Sequence, residues 1–579
     1  IDEIRPYSSW IDRINQVNAI ISRHPRIRFC FTGRPYAFDW KKIVGNANLK
    51  NMNLKGDGDV PVRTIYDDYI RYYDVNDEGA KWLRYSISTP YALKLVCELY
   101  ENKDIGLIEK SDIIVTNLLM KKFDKLNEEF KTTEGFEENR NDQIIKIVLL
   151  KINELFESQE EVSKEKIKSI LIELNIYYYL QDSGLEKVLN FLEKHSFLQS
   201  YQRQANSFFE EDEIVYMLGV QLVYDYLKAL RLFEKSSYSD DLEIDVHVME
   251  NTGALQMYSV MVLDCYGLIL WNNKSCCKQL DKKGLFNIVA YALINVNERI
   301  SGKYVRWLEE LMGGNAHALS LTVNRIILPL ARQEKHPLGS MLLDRYLSSF
   351  DKAAIRDCIW SIPSGISGNE YSIWRHHEDI NYQDESYKLE KTDNFIGMPL
   401  VWVWGLTSVN NKQRTMIRKE LIQWGIEQPE QFYKLFEHFV NVNDIQLKTD
   451  MFAIAMAIAH VCRKEYVYLK QISKWIYYNI FLYKKIKKIY NAAIRYYSRA
   501  IMECAYSENF VTDAQIEKCR PPYRTDSSLL PFSVEATEGT RMRGYKTMTY
   551  DLARYVLCDP LDKLFLSNRD YKDEIDILI

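Results

Sequence analysis

The sequence is poor in residues that interrupt helices: 14 Pro and 23 Gly occur in 579 residues. That scarcity argues against a turn-rich β-sandwich and against a disordered chain. No G-x-x-x-x-G-K-[ST] segment is present. Without it no backbone nest cradles a β-phosphate and no Lys neutralises one, so this stretch of chain is expected to hold nucleotide poorly. H-E-x-x-H and G-x-S-x-G are also missing, as is any C-x-x-C. The ten Cys have one close pair, Cys276-Cys277, and the rest are scattered in contexts such as Cys30 and Cys462. Reduced, buried thiols of a cytoplasmic protein are the simple reading. Long apolar runs are lacking too. MFAIAMAIA and FIGMPLVWVWGL are too short to cross a bilayer, and the stretch from Gly253 to Trp271 is interrupted by Gln256 and Asp264. No signal peptide is visible. The net charge of −5 does not call for nucleic acid or an anionic membrane.

What is present is the composition of a large globular chain, 47% apolar and 27% charged, with 40 Tyr suited to broad helical packing surfaces. Its length calls for three or four domains. The chain opens on IDEI without an initiator Met and stops within DEIDILI, so both ends read as cuts through a longer protein.

The first four residues read as the end of a buried strand carrying an acidic pair, Asp2-Glu3. Residues 10–23 place Ile11, Ile14, Val17, Ile20 and Ile21 on one helical face, and the β-rich run IRFCFT follows, ended by Gly33-Arg34-Pro35. Helix leading into a buried strand is the grammar of a parallel α/β sheet, in which ligands bind at the carboxyl ends of strands. Residues 41–60 read as a polar loop, and VPVRTIYD as a short strand or extended segment. Ser88-Thr89-Pro90 then announces the helix YALKLVCELY.

Between residues 112 and 235 four helical patterns are expected, the clearest being Ile167, Ile170, Leu171, Leu174 and Leu185, Val188, Leu189, Leu192. SFLQSYQ and EIVYML interrupt them as two β-like runs around a turn at Asn206, and a last helix turns Val220, Val223, Tyr224 and Leu227 inward. Two helices, a hairpin and a further helix are the order of a winged helix. From about residue 240 onward the pattern is helices and loops without a fixed repeat, with an apolar face at Phe432, Leu435, Phe436, Phe439 and Val440.

Four residues could carry chemistry. Asp2 could hold Mg²⁺ and Glu3 could orient an attacking water, the two carboxylate roles a hydrolytic NTPase needs. The plain alternative is a surface turn. Arg34 could reach a γ-phosphate, or could be an ordinary exposed turn residue. Pro90 could touch a nucleotide, or simply start its helix. His376-His377 reads as part of a solvated loop, and the basic, Tyr-rich helix Lys484–Arg499 as a solvated face rather than a phosphate track.

In their order these segments resemble the STAND NTPases, in particular the bacterial antiviral Avs group with NACHT-like modules. IDEI resembles the acidic end of a Walker B segment and FTGRP a sensor-1 strand with its Arg. STPYALKLVCELY resembles the helix with the GxP-type proline, although Ser88 replaces the Gly. VQLVYDYLKALRLF resembles the last winged-helix segment, with Asp225-Tyr226 ahead of Ala229; Val220 stands where many relatives carry a phosphate-sensing His. VNDIQLKTDMFAIAMAIA and EGTRMRGYKTMTYDLARYVL resemble later helical segments of the group.

The resemblance implies a mainly α chain with four parts. Residues 1–65 would be the back of a P-loop core, 66–135 a small helical domain, 136–236 a winged helix, and 237–579 a helical, repeat-like sensor scaffold. It implies ATP and Mg²⁺ in the complete protein, hydrolysis as a regulatory switch, a phage protein as trigger, and homo-oligomerisation that activates a linked effector. Neither a membrane nor direct nucleic-acid binding is expected. The competing expectation is a non-catalytic helical scaffold with a degenerate NTPase remnant.

Overall fold

The computed structural model describes most of residues 62–521 and a short helical stretch near Ile20; residues 106–109, 135–142, 157–160, 175–183, 204–212, 361–387, 483–488 and 522–579 are the longer segments outside the described residues. The described chain is mainly helical with few strands, as expected. It divides into two compact units, Ile1–Tyr468 and Leu469–Ile579. Among the described residues no helix is long and apolar enough to cross a membrane.

The first unit begins with α1 (Val62–Tyr72), where an extended segment was expected. The helix wins because Val62, Ile65, Tyr66, Tyr69 and Ile70 recur at i, i+3, i+4, i+7 and i+8, a stripe that extended chain would split between two faces. Tyr66 is buried and its hydroxyl donates to Asp77 Oδ2 at 3.1 Å. Asp74 ends the helix in the left-handed region at φ 49°. Then come α2 (Pro90–Leu99) and the long α3 (Val115–Glu134).

A six-element block follows: α4 (Ile144–Phe156), β1 (Val162–Ser163), α5 (Lys164–Glu173), α6 (Gly184–Lys194), β2 (Leu198–Arg203) and β3 (Glu213–Leu218). The two β-like runs pair antiparallel as β2 and β3, with Leu198 opposite Leu218; the turn expected at Asn206 lies outside the described residues. The two-residue β1, not anticipated, adds to the other edge of β3, so the sheet order is β1-β3-β2. At the open end of this hairpin Ser196 sits at φ 59° and Gly219 donates its N–H to Phe197 O at 2.8 Å. A Cβ on Gly219 would stand 1.9 Å from Ser196 O, so only glycine fits this crossing.

Helix α7 (Gln221–Lys235) buries Val223, Tyr224 and Leu227 as expected, whereas Val220, also expected inward, is its N-cap residue and only half-buried; the chain continues to α8 (Thr252–Tyr266) and α9 (Lys282–Asn295). One apolar core passes without a break from Val62 to Ile288, joining all of these elements. Beyond it lie α10 (Val305–Gly314), α11 (Ala316–Thr322), α12 (Ser340–Ser348), α13 (Ala353–Trp360), α14 (Met398–Trp404), α15 (Asn411–Glu427), α16 (Pro429–Phe439) and α17 (Ile445–Val461). Phe432, Leu435, Phe436, Phe439 and Val440, singled out by their spacing, are all buried.

The helix α18 (Tyr466–Ile476) carries the division between the units. In the second unit α19 (Ala492–Ser507) and α20 (Asp513–Cys519) pack together. Arg520 grips Glu503 with Nε and one terminal nitrogen, both at 2.8 Å. Of the basic segment Lys484–Arg499, only Ile489 and the chain from Asn491 onward lie among the described residues.

Candidate functional site

Asp2, Glu3 and Arg34 lie outside the described residues, as do His376-His377 and the segment EGTRMRGYKTMTYDLARYVL. Pro90 is described. It occupies the first position of α2, and the Thr89 hydroxyl oxygen accepts the Ala92 N–H at 3.1 Å. The ring sets the entry φ and gives up an N–H that would have no helical partner anyway. A proline side chain offers no donor to a phosphate, so the role visible for Pro90 is structural. Among the described residues no group of three or more His, Cys, Asp or Glu gathers where a metal could sit.

The segment 221–229, quoted above for its Asp-Tyr-x-x-Ala pattern, has a definite geometry. The Tyr224 hydroxyl donates to Phe197 O at 2.5 Å, tying α7 back to the start of the hairpin. Tyr226 and Ala229 are buried. Asp225 is buried as well, and its Oδ1 accepts from Gln221 Nε2 at 2.8 Å and from Asn251 Nδ2 at 2.9 Å. Burial pushes its pKa up, opposed by those two hydrogen bonds and by Lys228. Asn251 meanwhile caps α8, its Oδ1 accepting the Ala254 N–H at 3.0 Å.

On the surface of the six-element block, charge is balanced. The side of α6 turned away from the core carries Glu186 and Lys194, exposed, with Lys187 and Glu193 half-buried between them. Lys194 and His195 both lean on Glu129 of α3, at 2.9 and 3.3 Å. Lys164 pairs with Glu186. A groove of about 620 Å³ beside α4 and α7 interleaves Lys151, Lys228, Arg231 and Lys235 with Glu154, Glu234 and Asp245. None of these surfaces concentrates positive charge as a phosphate backbone would require.

A second polar centre was not foreseen from the sequence. The Arg356 guanidinium, fully buried, donates to Asn443 Oδ1 at 2.7 Å and Asp444 Oδ2 at 2.8 Å, and lies 5.2 Å from the centre of the Trp404 ring. Asp444 also caps α17, accepting the Leu447 N–H at 2.9 Å, while Asn443 Nδ2 donates to Phe350 O and Asp351 O at 2.8 Å each. The Trp404 indole N–H donates to Asp344 Oδ1 at 2.9 Å, and the other Asp344 oxygen meets His438 Nε2 at 2.9 Å. The hydrogen bond to Asp344 raises the His438 pKa above the ordinary imidazole value, against the opposing effect of burial. Nearby, Arg418 and Arg414 approach the buried Asp450 at 3.1 and 3.8 Å, and Arg332 approaches Asp393 at 2.9 Å. The only sequence signal was the Asn-Asp turn; nothing local linked it to an arginine 87 residues upstream.

Compared with known proteins, the chain matches no family model, no curated protein and no solved structure.

Proposed function

We propose that this chain is the regulatory and sensing portion of a STAND-type antiviral NTPase, in which ATP and Mg²⁺ hold a switch and a captured foreign protein releases it. In this reading Asp2 and Glu3 serve hydrolysis, Arg34 reports the γ-phosphate, residues 66–135 and 136–236 are the small helical and winged-helix domains, and the helices beyond 237 receive the trigger. The observation that carries the reading is the topology of the six-element block. Helix, strand, helix, helix, strand, strand with sheet order β1-β3-β2 is the layout of a winged helix, and α7 follows it with the Asp-Tyr-x-x-Ala pattern on its buried side. The continuous core from Val62 to Ile288 adds support, because a switch needs its modules packed in a defined arrangement that a ligand can bias.

Nucleic acid is not a partner in this reading. The α6 face that a winged helix would present to a groove carries acids between its lysines, and its C-terminal end leans on Glu129. Homo-oligomerisation and an effector partner come from the resemblance alone.

The competing reading, a non-catalytic helical scaffold, draws on Arg332, Arg356 and Arg418, each engaged with a buried carboxylate of the same unit. The two part at the acidic pair and Arg34. In the protein carrying its complete nucleotide module, Glu3→Gln should lower steady-state ATP hydrolysis about 100-fold or more, and Arg34→Ala should weaken the response to trigger. Wild-type hydrolysis and signalling in both variants would reject the switch in favour of the scaffold.

A further inference from the structure

Helix α8 is fastened at both ends to different parts of the first unit. At its start, Asp225 of α7 holds the Asn251 cap, and the carboxylate presses on the first turn: a Cβ on Gly253 would stand 2.1 Å from Asp225 Oδ2. At its end, Asp264 is hydrogen-bonded by Asn117 of α3. Between these points Ala254, Leu255, Tyr258, Val262 and their neighbours are buried, and α8 packs extensively on α7. A carboxylate at the first turn of a 15-residue helix also meets the positive end of the helix dipole.

We infer that α8 is a clasp: beyond the direct packing of α3 on α4, α6 and α7, it fastens α3 and the elements from α4 to α7 in one arrangement, and Asp225 seated on Gly253 is its catch. Separation of residues 66–135 from 136–236 then requires α8 to lift from one of them. The idea deepens the switch reading by naming the element that must release, but its test uses no nucleotide and no trigger, so it can fail or survive independently of the role of Asp2, Glu3 and Arg34.

Gly253 provides the sharpest handle. With Asp225 in place, Gly253→Ala forces the carboxylate off its seat and lowers the thermal midpoint of the chain. With Asp225→Ala already present, the same methyl enters vacated space in a helix that favours Ala over Gly, so Gly253→Ala should be neutral or raise the midpoint. Equal losses in both backgrounds would overturn the catch.

Hydrogen exchange of the whole chain tests the clasp itself and does not depend on the variants reaching the same stability. In wild type, α3, α7 and α8 should exchange as one cooperative unit. Asp225→Ala should speed exchange about tenfold or more not only in α7 and α8 but also in α3, which Asp225 does not touch. Acceleration confined to α7 and α8, or an α8 that opens before α3 and α7 in wild type, would overturn the proposal.

Discussion

Between Val62 and Ile288 the helices share a core of carbon: among the described residues the buried polar side chains there are Thr116, Asn127, Asn153, Ser259, Asn273 and one carboxylate, Asp225. Between Arg332 and Val461 the helices also bury an apolar core, but charge is set into it, with Arg356, Asp344, Asp393, Asp444 and Asp450 all buried. The first region is held by contacts that are individually weak, numerous and indifferent to direction. The second depends on a few groups whose partners must be present, because a buried charge left alone is far more costly than the pair is stabilising. The first region should therefore tolerate conservative repacking and move as a body. The second should hold one geometry closely and fail sharply when a partner is lost.

The largest effect should come from the charged region. Arg356→Ala leaves Asp444 buried without its guanidinium and removes the cation over Trp404, so a loss of about 3–5 kcal/mol is expected in chemical denaturation. A loss within experimental error would mean that water replaces the guanidinium, and the contrast between the regions would dissolve. Leu189→Ala in the apolar region creates a cavity at a fully buried position and should cost about 2–5 kcal/mol. Leu189→Met, which keeps the volume, should cost less than about 1.5 kcal/mol, whereas Arg356→Lys, equally conservative in charge, should recover little because an ammonium lacks the fork that reaches Asn443 and Asp444 together.

The smallest effect concerns His438. Its folded pKa is raised by Asp344, so its contribution is fully present below the ordinary imidazole value of about 6.5 and is lost as pH rises through the folded value. Of the charged neighbours, Asp344 alone acts on it: α14 has no ionisable side chain, and Arg356 is engaged with Asp444. Because the imidazole is partly exposed, the contribution is up to about 1 kcal/mol. Thermal midpoints followed from pH 5.5 to pH 8.5 should fall more in wild type than in His438→Gln. Parallel profiles would show that the pair adds nothing.

The legible parts of the fold are those whose information is local. Phe432, Leu435, Phe436 and Phe439 announce a buried helical face by spacing alone, and Leu198–Arg203 and Glu213–Leu218 read as strands because their β-rich runs are too short for helices. VPVRTIYD misled because Val60, Val62, Thr64 and Ile65 are β-branched residues favoured in strands, and the 3.6-residue stripe emerges only when Tyr69 and Ile70 are included. β1 is two residues long and exists because β3 offers a free edge, so it leaves no pattern of its own. Of the candidate nucleotide residues, Pro90 is the one inside the described residues, and there its local role, opening α2, was readable from Thr89-Pro90.

Helix positions, caps and apolar faces are thus properties of the sequence itself, because each rests on residues three or four apart along the chain. The tertiary structure alone decided which distant groups meet: Asp225 with Gly253, Asn117 with Asp264, Arg356 with Asn443 and Asp444, Asp344 with Trp404 and His438. The reason is physical. Apolar surface is satisfied by any apolar neighbour and so leaves a periodic trace, whereas a buried guanidinium or carboxylate needs one partner at one distance, and nothing within a few residues of either group says where that partner is.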